Sequence, residues 1–138
     1  MKKVLMSFIL SALFVTLAAC GDGGVEYPVE YFNATVTGSE SAGEGRLMTV
    51  ETTGFYEMVV EVTVNADGLE DYEVISHEES ADYGGILIDD TNYLADLVAA
   101  NGELSSDELD AYSGATATRD ALMDAALAAL EHYTANYE

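Results

Sequence analysis

The sequence predicts an α+β fold, an antiparallel β-sheet with two or more helices packed on it, in a single small domain. Three observations lead there. Apolar residues make up 49% of the 138, enough for one core despite a formal charge of −22. The first half is rich in Val, Ile and Tyr and includes a stretch that alternates with period two, whereas the second half is rich in Ala and Leu at helical spacing. Strands first and helices later is the order of α+β domains.

Residues 31–37 and 47–53 read as strands, separated by a Gly/Ser/Glu-rich stretch at 38–45 that reads as a loop. The clearest strand covers 57–64, where Met58, Val60, Val62 and Val64 face one way and Glu61 and Thr63 the other. Asn65-Ala66-Asp67-Gly68 is a turn signal, its glycine free to take positive φ. It lacks the further ligand positions and closing Glu of an EF-hand loop. Residues 71–77 complete a hairpin. A helix is expected over 91–100, with Tyr93, Leu94, Leu97 and Val98 at helical spacing, Asp89-Asp90-Thr91 as cap candidates and Asn101-Gly102 as its end. The last helix is expected over 118–133. Its broad inward face would hold Leu122, Met123, Ala126, Leu127, Ala129, Leu130 and Tyr133, with Asp120, Asp124, Ala128 and Glu131 opposite. His132 reads as a surface residue.

Charge is distributed unevenly along the chain. Lys2 and Lys3 precede an apolar run at 4–19, shorter than the roughly 20 residues a spanning helix needs, and the run closes with Leu17-Ala18-Ala19-Cys20. This ending resembles a bacterial lipobox. The resemblance implies a lipoprotein signal peptide at 1–19, lipidation of Cys20, and an extracytoplasmic protein anchored to the cell membrane or outer membrane. Residues 20–28, which include Gly21-Asp22-Gly23-Gly24, read as a flexible tether, and 29–138 as the domain. The processed chain would set only Arg46 and Arg119 against 26 carboxylates, a charge of −24. That balance argues against nucleic acid and against a peripheral grip on anionic headgroups, since both depend on Lys and Arg. The acidity suits docking to a basic partner, a plain solvated face or adaptation to a salty habitat.

Chemistry concentrates just before the last helix, in Asp110-Ala111-Tyr112-Ser113-Gly114-Ala115-Thr116-Ala117-Thr118. The segment places hydroxyls and a glycine where the chain enters a helix. A helix start presents unpaired N–H groups and a partial positive charge, a natural place for phosphate. Arg119 in the first turn opposes the dipole, and neutralising a bound phosphate would explain its position. Plain capping by Thr116 or Thr118, with a turn at Ser113-Gly114, accounts for the same residues without a ligand.

Asp110-x-x-Ser113-Gly114-Ala115-Thr116 resembles the flavinylation motif of the FMN-binding domain family, whose members include the FMN-carrying subunits of sodium-pumping quinone reductases and Rnf-type complexes. The likeness extends over 54–130. Gly54-Phe55-Tyr56, the strand at 59–64, the turn at Asp67-Gly68 and the strand ending in His77 look like that domain's opening hairpin. His77-Glu78-Glu79-Ser80 is similar to its His-x-Glu-Thr stretch, and Tyr83-Gly84-Gly85 stands where a glycine-containing loop follows. Departures are Ala111 in place of glycine, Ser80 in place of threonine, and no proline after it.

The resemblance implies FMN joined by a phosphoester to Thr116, with Thr118 the competing acceptor. It implies installation by a separate FMN transferase drawing on FAD with a divalent metal, which would read Asp110, Ser113, Gly114 and Ala115. Tyr112, Tyr83, Gly84, His77 and Glu79 would lie near the flavin, with Arg119 beside the phosphate. The function so implied is an electron carrier, not an enzyme, that relays electrons from a membrane redox complex to an outside acceptor. No nucleophile–base pair or His/Cys metal spacing stands out in the sequence. The alternatives are a small flavin reductase subunit acting on a soluble acceptor, and a non-redox acidic lipoprotein that collects cations.

Overall fold

The computed structural model describes residues 25–82, 84–89, 92–105, 107 and 115–138. Five strands, β1 (Val29–Tyr31), β2 (Ala34–Ala42), β3 (Gly45–Thr53), β4 (Glu57–Asn65) and β5 (Gly68–His77), form an antiparallel meander in sequence order. Three helices follow: α1 (Gly84–Asp89), α2 (Tyr93–Ala99) and the 22-residue α3 (Thr116–Tyr137). The α+β expectation holds.

Period-two alternation decides which sheet face is covered. Val36, Met48, Val50, Met58, Val60, Val62 and Val64 are buried and meet α3, which lies across the sheet. The helix answers with Ala121, Ala125, Ala126, Ala128 and Ala129 around Leu122, small side chains that let its backbone come close to the sheet. Turn chemistry sets the register. Gly68 takes φ +122° after Asn65, whose Oδ1 accepts the Asp67 N–H at 2.8 Å. Asn101 and Gly102 take positive φ after α2, and Gly102 N–H returns to Leu97 O at 2.8 Å.

Several expectations are corrected. The stretch at 38–45 is not a loop: β2 runs to Ala42 and β3 starts at Gly45, leaving Gly43-Glu44 as the turn, with Gly43 at φ +58°. Its Ser and Glu residues alternate across the sheet, which a compositional reading of loops misses. Ala128 is fully buried because the alanine-lined contact is wider than a stripe of large side chains suggests. Residues 84–89 are helical where a glycine-containing loop was expected. Tyr27, placed by the sequence in a tether, is only 7% exposed.

Tyr27 is held by the other miscast residue, His132. This side chain has no exposure. Its Nε2 lies 3.1 Å from Tyr27 Oη, and its Nδ1 lies 3.0 Å from Tyr31 Oη and 3.2 Å from Asn136 Nδ2. Tyr137 stacks edge-on against its ring, and the Arg46 guanidinium covers Tyr137 at 4.4 Å. A histidine one residue from an apolar stripe is buried here because tyrosine hydroxyls satisfy both ring nitrogens.

Candidate functional site

The start of α3 is fixed by three hydroxyls from three different elements. Thr52 Oγ1 on β3 donates to Ala121 O at 3.0 Å, Tyr72 Oη on β5 to Leu122 O at 2.8 Å, and Tyr93 Oη on α2 to Arg119 O at 2.7 Å. Each is a side chain whose apolar body packs while its hydroxyl reaches helix backbone. Burial, and next the nearby Tyr93 hydroxyl, push the Tyr72 hydroxyl well above its ordinary pKa. The first two turns of α3 therefore have a defined position on the sheet.

At the tip of that helix the two candidate acceptors part company. Thr116 opens α3 and is exposed, whereas Thr118 is fully buried and its Oγ1 has no hydrogen-bond partner among the described residues. Neither caps the helix as expected. Ala115 occupies the N-cap, φ −134° and ψ 54°, with no side-chain bond to the helix start. Arg119 is paired with Asp120, Nη2 to Oδ1 at 3.0 Å, so a neighbouring carboxylate offsets its cost near the positive helix end.

Glu79 supplies negative charge from outside the helix. It is 7% exposed, and its Oε1 accepts the Phe55 N–H at 3.2 Å. Its Oε2 is the other buried side-chain atom without a partner among the described residues. Two glycines show how tightly this carboxylate is set against α3. A Cβ on Gly54 would strike Glu79 Oε1 and lie 3.0 Å from Thr118 Cα. A Cβ on Gly84 would lie 2.5 Å from Thr118 Oγ1 and 2.8 Å from Glu79 Cβ. Larger residues at either position would push the β3–β4 connection or α1 away from the helix. His77 serves this arrangement, its Nδ1 accepting the Glu79 N–H at 3.2 Å where the chain leaves β5.

The sequence-derived residues thus fall into two groups. Glu79, Gly84 and Thr118 come together at the start of α3, with His77 bonded to Glu79 and Ala115, Thr116 and Arg119 on the same helix end. Asp110, Tyr112, Ser113, Gly114, Tyr83 and Cys20 lie outside the described residues. The sequence places Phe55 and Tyr56 in the opening hairpin but not in the site; they are 65% and 53% exposed on the connection that Glu79 holds beside the helix start. Their signal was two aromatics directly after Gly54, at a hairpin end where polar residues are usual. The exposed Thr116 beside a buried Ala115, flanking aromatics and a glycine-lined joint suit a flavin phosphate carried on the outer side of the helix tip.

The model of the FMN-binding domain family matches residues 54–131, more than half of the chain. It spans from the Phe55–Tyr56 connection through most of α3. No curated protein and no solved structure matches the chain. The chain belongs to the FMN-binding domain family, with a flavin-binding, electron-transfer role in general.

Proposed function

We propose that this chain is an extracytoplasmic electron carrier with FMN attached by a phosphoester to Thr116. The observation that carries the reading is the exposure of Thr116 at the first position of α3, inside a family match, while Thr118 is sealed. An acceptor hydroxyl must enter the active site of a transferase, and only an exposed one does so without unfolding the helix. FMN, when bound, takes up and gives back electrons. The chain's own residues do the rest. Thr116 tethers the phosphate, the three hydroxyl bonds to α3 hold the tether point still, and Phe55 and Tyr56 offer apolar rings at its side.

The remaining parts of the reading follow from the motif. A separate FMN transferase, with FAD as donor, reads Asp110, Ser113, Gly114 and Ala115. Cys20 carries the lipid that keeps the protein at the membrane, where a membrane redox complex supplies electrons. A covalent bond suits that location, because a dissociating cofactor outside the cell is lost. Coexpression with a flavin transferase, followed by a denaturing gel under ultraviolet light, tests the linkage. Wild type should fluoresce and Thr116→Ala should be dark. Fluorescence retained in Thr116→Ala overturns the assignment.

A further inference from the structure

We infer that the outer face of the sheet, opposite α3, docks a protein partner that presents a cluster of lysines or arginines. The inference rests on the carrier reading in one respect: the partner is taken to be one that exchanges electrons with this chain.

Strand register places the charge. Glu30, Thr35 and Glu51 stand in one row across β1, β2 and β3, Glu61 and Glu73 are direct partners across β4 and β5, and Thr63 faces Asp71. Glu57 opposes Thr53 at the end of β3 and β4. The intervening residues on these strands point into the core, so seven carboxylates, Glu30, Glu40, Glu51, Glu57, Glu61, Asp71 and Glu73, share the uncovered face. Like charges directly opposite one another destabilise a sheet. Threonine at Thr35, Thr49, Thr53 and Thr63 shows that a neutral solution was open at such positions. Among the described residues no compensating cation lies on this face. Arg46 is on the inner side, bonded to Ser39 and Ser41, and Arg119 is on α3.

The helix side is acidic too, with Asp89 on α1, Asp96 on α2 and Glu103 after it, but its carboxylates are not set directly opposite one another on paired strands as Glu61 and Glu73 are. Along the 22 residues of α3 the carboxylates are Asp120, Asp124 and Glu131, of which Asp120 is engaged by Arg119 and Asp124 by Asn33, and the exposed positions that follow are Thr134, Ala135 and Asn136. The sheet face is also shaped. A depression of about 320 Å³, lined by Glu30, Asn33, Thr35, Glu51, Thr53 and Glu57, opens at the end of the face where β3 leads into Gly54-Phe55-Tyr56. Its walls carry the charge and hydroxyls that a long cationic side chain needs. A partner seated there lies beside the end of the molecule that bears Thr116. Charge-steered encounters of modest area give the quick association and release that electron transfer requires.

The test is a nuclear magnetic resonance titration of the ¹⁵N-labelled protein with a lysine-rich c-type cytochrome at low ionic strength. Saturable shifts should map to Thr49, Glu51, Val59, Glu61 and Glu73 and leave residues 120–136 still. The triple variant E51Q/E57Q/E73Q should weaken binding at least tenfold, and the control E26Q/E103Q/E131Q, with the same change in charge, less than twofold. Shifts spread over α3, or equal loss in both triples, overturn the inference. The wild-type map decides even where a variant folds poorly. Running Thr116→Ala in parallel separates the two claims, since a colourless protein with the same shift map keeps the docking face whatever the fate of the flavin linkage.

Discussion

Replacing Thr118 by Val exchanges a hydroxyl for a methyl of nearly the same shape at a position with no exposure. The hydroxyl is hydrated in the unfolded chain and has no partner among the described residues of the folded one, a burial that costs about 1–3 kcal/mol. Val removes that cost without breaking a bond, and both residues are β-branched with similar helix propensity. The hydroxyl already fits between Gly84 and Glu79, so a methyl meets the same walls. The expected outcome is a gain of about 1 kcal/mol, or roughly 4 °C in Tm for a domain of this size. Thermal unfolding followed by circular dichroism reads it, with urea denaturation as the check on stability near room temperature. A fall in Tm refutes the reasoning, because it means that the hydroxyl holds a buried water or a bound molecule. The same variant should keep covalent flavin.

Glu79→Ala deprives the Phe55 N–H of its acceptor and should speed hydrogen exchange at that amide about tenfold, matching roughly 1.4 kcal/mol for one bond, while Glu79→Gln should stay close to wild type. His132→Leu leaves the Tyr27 and Tyr31 hydroxyls without their ring partner and should cost about 2 kcal/mol in urea denaturation. Above pH 10.0, the ordinary tyrosine value, unfolded Tyr72 releases a proton that the folded protein retains. Stability contributed by Tyr72 is therefore complete below that pH and is lost as pH rises from it toward the higher folded value. Melting curves between pH 9 and 12 should show the decline, and Tyr72→Phe should flatten it.

Strands with apolar side chains on one face were legible because period-two alternation is a direct image of one covered face, as in β4. The end of α2 was legible because Asn101-Gly102 is a chemical stop. What escaped was whatever depends on the partner across the gap. Ser39, Glu40 and Ser41 read as loop by composition, yet Ser39 and Ser41 point inward to bond Arg46 on the neighbouring strand. Ala128 and His132 read as outward by size and polarity. The first is inside because the helix lies flush on the sheet, the second because Tyr27 and Tyr31 reach it from over 100 residues away. At the site, motif position favoured Thr116 over Thr118, but the physical contrast between them, one exposed and one sealed by Gly84 and Glu79, needed the fold.

The two ends of α3 bear on how the proposed carrier presents its cofactor. Tyr27 binds His132, which lies 16 residues along the helix from Thr116, about 24 Å at 1.5 Å per residue. The chain thus enters the domain at one end of α3, and the proposed attachment point is at the other. With the lipid on Cys20, the seven steps to Tyr27 span at most about 24 Å fully extended. Because Tyr27 is buried rather than part of a linker, nothing beyond those residues contributes slack. In the proposed lipid-anchored arrangement, a domain standing on its entry point would hold Thr116 and the Phe55–Tyr56 connection away from the bilayer, toward partners in the surrounding fluid. The acidic sheet face leads to that same distal end at Thr53 and Glu57, so a basic partner approaching from solution meets charge first and the attachment point next. A donor buried in the membrane has no such approach, which favours a donor whose redox group projects beyond the headgroups.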